Sequence, residues 1–171
     1  MRGDIPPVSI HGVDVLDAEV LGFLLQARAA LFAGRMDLDA MPPDLRHFAQ
    51  SYGTAPGRML VARGAEGRVV GSIACRAYDH RFAHLHYPNG GVVEVVRLYV
   101  APGQRRQGLA RRLFLTLKAH ALAQGVNTLY LHTHPFLPGA IDFWRAMGFR
   151  LLCVDDDPPW RTTHMEWVAR A

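Results

Sequence analysis

Residues 92–117, VVEVVRLYVAPGQRRQGLARRLFLTL, decide how this chain is read. A β-branched run reaches Val100, Ala101-Pro102-Gly103 supplies a turn, and Arg105-Arg106-Gln107-Gly108-Leu109-Ala110 opens an amphipathic helix. The first turn of a helix has unsatisfied N–H groups and the positive end of the peptide dipoles. A basic, glycine-containing loop at that point therefore suits an anionic phosphate. Gly108 lets backbone approach a ligand closely, and Ala110 is too small to obstruct it.

Upstream of this stretch, residues 1–15 hold a first short strand and Asp17 caps a helix over 18–33 whose stripe is Val20, Leu21, Leu24, Leu25, Ala29 and Phe32. A second helix is expected over 44–51. Residues 57–63 and 69–78 read as an antiparallel hairpin, followed by a long histidine- and glycine-rich connection, DHRFAHLHYPNGG, over 79–91. Downstream, the helix runs over 108–124 with Leu109, Leu113, Leu117 and Ala121 on one face. A strand over 128–133, a short helix over 138–147 and two strands over 149–154 and 163–169 complete the pattern. Strands alternating with helices, plus a terminal hairpin, predict a mixed α/β sheet.

The chain has 171 residues, half of them hydrophobic, which suits one domain with one sizeable core. A formal charge of +4 favours an anionic partner without choosing among phosphorylated cofactors, nucleic acid and acidic surfaces. Cys75 and Cys153 lie in apolar strand-like runs and read as buried reduced thiols. With no long apolar segment and no leader-like N-terminus, the expected setting is soluble and cytoplasmic, away from membranes.

The order strand, R-x-x-G-x-A, helix resembles the pyrophosphate-binding signature of the GNAT N-acetyltransferases. Ala140-Ile141-Asp142-Phe143-Trp144-Arg145-Ala146-Met147-Gly148-Phe149 is similar to that family's A-x-x-F-Y-x-x-x-G-F segment near the acetyl group. Together they place a motif-bearing core at about 58–154 within a single GNAT-like domain over 1–171. The resemblance implies a mostly antiparallel central sheet flanked by helices, with a splayed strand pair at the cofactor site. It implies acetyl-CoA as co-substrate, with Arg105, Arg106, Gln107, Gly108, Leu109, Ala110 and Arg111 at the phosphates. Leu98, Tyr99 and Val100 would then lie along pantetheine, with Phe143 and Trp144 near the thioester. Dimers are frequent in this family, so a homodimer stays open.

Two positions depart from the family pattern. Trp144 stands where relatives carry a tyrosine proposed to protonate the departing thiolate, and an indole N–H only donates. Leu137 stands where many carry asparagine. Tyr99, Tyr130 or water are the alternative acids, and a thiol leaving group tolerates the lack of one. Glu94, fourteen positions before Gly108 among valines, is the general-base candidate, since desolvation should raise its pKa. Some relatives place a glutamate base at about this point. The competing reading is an ion pair with a cross-strand arginine such as Arg76. Arg97, three positions on, belongs to the other strand face unless a bulge intervenes.

The pairs His84-x-His86 and His132-x-His134 invite a metal, but no cysteine pair or local carboxylate completes a site, so no metal is expected. His134 could contact the acceptor. The leading function is acetyl transfer to a primary amine of a small molecule, directly and in a ternary complex. The Asp155-Asp156-Asp157 turn and the 80–86 connection could shape the amine's entrance. A coenzyme A-binding regulator with little catalysis, motivated by Trp144, is the alternative. Nucleic-acid binding through Arg105, Arg106, Arg111 and Arg112 is disfavoured, because a strand precedes the helix and no aromatic-interleaved platform appears.

Overall fold

The computed structural model describes residues 7–171. The part of the first-strand expectation that falls on residues 1–6 lies outside them. The elements are β1 (Ser9–Gly12), α1 (Ala18–Phe32), α2 (Pro43–Arg46), α3 (Phe48–Ser51), β2 (Arg58–Arg63), β3 (Val69–Ala77) and β4 (Val92–Val100). After a single 3₁₀ turn at Pro102–Gln104 come α4 (Leu109–Ala123), β5 (Thr128–Thr133), α5 (Ala140–Ala146), β6 (Arg150–Val154) and β7 (Thr163–Val168). Asp17 caps α1 through a 2.9 Å bond from the Val20 N–H to its carboxylate. The expected helix over 44–51 is two short pieces. His47 leaves helical geometry at φ −108°, ψ 47°, and the break brings Asp44 and Tyr52 together.

The seven strands form one sheet in the order β1-β2-β3-β4-β5-β7-β6, with every pair antiparallel except β4–β5. β4 is buried on both faces. Val93 and Val95 join Leu113, Phe114, Leu117, Leu129 and Met165 in the core under α4 and α5. Val96 packs instead into a second cluster with Val20, Leu24 and Phe48 beneath α1 and α3. Val92 joins Tyr78 and Tyr130, which the 79–91 connection covers with Phe82, Leu85 and Tyr87. A strand enclosed on both sides explains why residues 92–96 read as an apolar run broken only by Glu94.

β4 changes partners along its length. It pairs with β5 only at Val92–Thr128, Val93–Leu129 and Glu94–Tyr130, and from Val95 onward it pairs with β3 alone. This is the splay that the resemblance implied. A bulge lies in the same half of the strand: the β3–β4 register slips between Ser72 and Ala74, and Arg97 has φ +61°. The Ser72 hydroxyl donates to the Arg97 carbonyl at 2.7 Å and fixes the bulge. Past it the faces exchange, so Arg97 and Tyr99 turn toward the α1–α2 side while Leu98 and Val100 turn toward the α4 core.

Both cysteines are free thiols. Cys75 is buried as expected, whereas Cys153 is half-buried near the sheet edge. Among the described residues, no helix is long and apolar enough to cross a membrane.

The stripe of α4 sets a stability prediction. Leu113 is fully buried and Leu115, on the same helix, is 37% exposed. Leu113→Ala should cost about 2–5 kcal/mol and Leu115→Ala under about 1 kcal/mol, read from urea unfolding midpoints at equal m-values.

Candidate functional site

The parting of β4 and β5 opens a cleft of about 960 Å³. Its two walls follow from the two strands: residues 94–100 of β4 on one side, and Leu131–His134 with Leu137–Ala140 on the other. α4 begins at one end, with Gly108 as its N-cap at φ +76°. A side chain there would be strained by the backbone, although nothing lies within 4 Å of an added Cβ, so the conformation rather than crowding calls for glycine. The N–H groups of Arg106, Gln107, Gly108, Leu109, Ala110 and Arg111 find no acceptor among the described residues. Successive unpaired donors at a helix start suit an anion, which is the chemistry of the pyrophosphate that the resemblance implies. Arg105 is not free to swing to a phosphate: its Nε donates to the Val100 carbonyl at 2.9 Å, and its guanidinium lies 5.3 Å from the Tyr99 ring centre.

Of the residues expected at the cofactor, Leu98, Tyr99, Val100, Arg105, Arg106, Gly108, Leu109, Ala110, Arg111, Phe143 and Trp144 all line the cleft. Gln107 does not; its side chain is exposed beyond the rim, which leaves only its backbone N–H for a ligand. Trp144 is only 6% exposed, wedged among Phe114, Phe143 and Phe149 at ring separations of 4.9–5.5 Å. Tyr130, offered as an acid, is wholly buried and does not line the cleft. Its hydroxyl is hydrogen-bonded to His164 Nδ1 at 2.6 Å, and burial pushes its pKa further above the usual phenol range. Tyr99 does line the cleft, with its ring edge-on to Phe23 of α1 at 5.8 Å.

Glu94 sits at the fork itself, fully buried. Arg81, from the long connection, grips its carboxylate with two bonds of 2.6 and 2.7 Å. Arg76, its register partner on β3, adds a contact of 3.4 Å, and His132 Nδ1 stands 3.5 Å away. Burial alone would raise the Glu94 pKa, as expected from the sequence. Arg81, His132 and Arg76 outweigh burial and hold it at about 2. The raised pKa expected of a base is therefore corrected in direction, and the arginine pairing is present together with a second arginine the sequence pattern did not indicate.

Arg97 completes the floor beyond the bulge. It turns to the face of Glu94 but pairs with Asp44 of α2 at 2.7 and 2.9 Å, and the Tyr52 hydroxyl donates to the same carboxylate at 2.5 Å. Burial raises the Asp44 pKa, and Arg97 and Tyr52 more than reverse it. His134 lies at the end of β5, stacked on Phe136 with ring centres 5.1 Å apart, with Nδ1 3.1 Å from the Trp160 carbonyl. A carbonyl only accepts, so Nδ1 carries the hydrogen and Nε2 keeps the lone pair. Burial lowers the pKa of this imidazole and keeps it neutral.

The remaining wall is α1, through Leu24, Ala27, Arg28, Leu31 and Phe32. No motif marked this helix as part of the site; only its apolar stripe was visible in the sequence. The Asp155–Asp157 turn does not line the cleft, and of the 80–86 connection only Arg81 does.

The Glu94 pocket has a pH signature. A depressed carboxylate pKa stabilises the fold above the unfolded value of 4.5, and this contribution is lost as pH falls through about 2. The native protein should lose roughly 3 kcal/mol across that window from this group, and Glu94→Gln, weaker at neutral pH, should show a flatter acid limb by denaturant unfolding.

Residues 27–149 match the acetyltransferase (GNAT) family. Over 107 residues, 63% of this chain, the sequence is 31% identical to the uncharacterized N-acetyltransferase YjgM of Escherichia coli K12, and the match spans 59% of that relative's length. A GNAT-family acetyltransferase from Staphylococcus aureus Mu50 superposes with a TM-score of 0.75 at 19% identity, covering 95% of this chain and all of that one. PaiA N-acetyltransferase from Thermoplasma acidophilum, solved with coenzyme A, gives 0.69 at 18% identity, covering 94% and 99% of the two chains. A family match spanning most of the chain, over a sheet that parts between β4 and β5, makes this protein a member of the GNAT acetyltransferase family.

Proposed function

We propose that this protein is an acetyl-CoA-dependent N-acetyltransferase that acylates a primary amine of a small molecule by direct transfer in a ternary complex. One observation carries the reading: β4 backbone released from β5 leads, through one turn, to a row of N–H groups with no acceptor among the described residues. Together these match the two polar parts of an acyl-CoA, the amide-bearing arm and the pyrophosphate. That the PaiA neighbour was solved with coenzyme A supports the same reading. When bound, acetyl-CoA supplies an activated acyl group as a thioester.

The chain's residues then divide the work. The amides of Arg106–Arg111 hold the phosphates, and the backbone of Leu98–Val100 pairs with the pantetheine and polarises the acyl carbonyl. The amine enters beside α1, past Leu24, Arg28 and Phe32, toward His134. A protonated amine cannot attack, and His134 Nε2, neutral and with its lone pair free, takes the proton. Glu94 stays ionised and favours the positive charge that develops on the attacking nitrogen. Tyr99, the phenol that lines the cleft, donates to the departing thiolate, while Trp144 can only donate a hydrogen bond. The apolar α1 wall and the enclosed floor suit a small acceptor better than a folded protein surface.

Two measurements test this. Gly108→Asn and Gly108→Asp both tolerate the left-handed backbone, but only the second adds negative charge. Calorimetry should show acetyl-CoA binding weakened roughly tenfold more by Asp than by Asn; no binding by the native protein sinks the cofactor reading. Binding without turnover on any of a panel of amines would favour the regulatory alternative that Trp144 motivates.

With a saturating amine, the acid limb of kcat should lie below the ordinary histidine value of 6.5, with activity rising as pH rises through it. His134→Gln should remove that limb and lower kcat about 100-fold. A limb that survives in His134→Gln and disappears in Glu94→Gln would return the base role to Glu94.

A further inference from the structure

On the face of the sheet that carries Glu94, but outside the cleft, four side chains converge that the acyl-transfer chemistry does not use. Cys153 is the penultimate residue of β6, Asp155 follows the strand in the turn, His164 lies on β7 in register with Cys153, and His84 comes from the 79–91 connection. One donor atom from each lies within 4.8 Å of all the others. The Asp155 carboxylate receives His84 Nε2 on one oxygen at 3.0 Å and His164 Nε2 on the other at 2.9 Å. The sequence pattern had shown only pairs of histidines with no thiol or carboxylate to join them. The register of the β6–β7 hairpin supplies both.

We propose that His84, Cys153, Asp155 and His164 form a structural zinc site that pins the 79–91 connection to the β6–β7 hairpin. Two imidazoles, a thiolate and a carboxylate are a tetrahedral donor set, and the thiolate selects zinc over magnesium or calcium. Zinc–ligand bonds of about 2.0–2.3 Å put tetrahedral donors about 3.3–3.8 Å apart, so side-chain shifts of about 1 Å close the site. On binding, the Cys153 thiol forms a bond from sulfur to the metal and releases its proton to solvent. Four protein donors leave no position for a substrate, which makes the site structural.

The surroundings fit that role. The Tyr130 hydroxyl meets His164 Nδ1 at 2.6 Å and is placed to orient the ring. Without metal, the phenol can donate to Nδ1 and Nε2–H to Asp155. With zinc on Nε2, the hydrogen moves to Nδ1 and the phenol oxygen accepts it. His84 is 47% exposed, so an ion can enter from solvent. The Phe82 ring is packed against His164 at 4.8 Å and against His132 at 5.4 Å, and its neighbour Arg81 holds Glu94. A metal at His84 therefore fixes the short segment that presents Arg81 to the cleft.

The test uses the full chain, stripped with a chelator and titrated with zinc alone by calorimetry, with thermal unfolding alongside. Native protein should take up one equivalent and gain thermal stability. Cobalt(II) in place of zinc should give a thiolate-to-metal charge-transfer band. Cys153→Ser should abolish that band, and both it and the surface change His84→Ala should weaken zinc at least about 100-fold, with folding confirmed by circular dichroism. No uptake at micromolar zinc overturns the proposal. So does uptake that neither substitution weakens, which would leave a hydrogen-bonded His–Asp–His cluster and adventitious binding at other histidines.

Discussion

The buried charge of Glu94 is the constraint around which the functional half of the molecule is arranged. A carboxylate with no exposure to water must be neutralised locally, or burial would force it to take up a proton. Arg76 reaches it from the neighbouring strand, but the closer grip comes from Arg81, in a stretch without regular structure. The long connection is thereby tied to the sheet at the point where β4 and β5 separate. Its aromatic residues then cover Tyr130 and Val92, which would otherwise face water. One ion pair thus joins the cleft, the connection and the small aromatic cluster.

The bulge at Arg97 is the second device. A regular strand would send Arg97 toward the α4 core, where a guanidinium has no partner, and Leu98 toward the polar floor. One slipped register exchanges them. Leu98 and Val100 pack beneath α4, and Arg97 meets Asp44 and Tyr52, which the break between α2 and α3 has brought together. The positive φ of Arg97 costs on the order of 1 kcal/mol, and its buried, doubly hydrogen-bonded ion pair with Asp44 offsets it. Strain and its compensation lie in the same few residues that shape the cleft.

Cross-strand register also explains why polar residues accumulate on one face. Arg76, Glu94, Tyr130, Glu166 and Arg150 are successive partners across β3, β4, β5, β7 and β6, so charges of opposite sign stand at both ends of the row around a buried phenol. Tyr87 donates to Glu166 from above, and Arg150 pairs with the same carboxylate. The next row places His132, His164 and Cys153 side by side. The opposite face is almost wholly apolar under α4 and α5. The loose amides at the α4 start and the ion-paired polar face meet along the edge of β4.

Local pattern carried much of the fold. The hairpin, α1 with its Asp17 cap, α4, β5 and the loop before α4 were legible because each is set by nearest-neighbour chemistry: period, cap, turn residue and the loose amides of a helix start. The residues of the loop before α4 that line the cleft were legible for the same reason, apart from Gln107, which does not line it. Four features were not: the grip of Arg81 on Glu94, the exclusion of Tyr130 from the cleft, the exchange of faces at Arg97, and the meeting of His84 with Asp155. Each depends on contacts between residues far apart in the chain, such as Arg81 with Glu94, Asp44 with Arg97 or Tyr130 with His164. Sequence determined that a basic, glycine-containing helix start follows a buried strand. Tertiary structure decided the charge state of Glu94 and which side chains face the cleft, because desolvation, strand register and long-range ion pairing exist only once the sheet has closed.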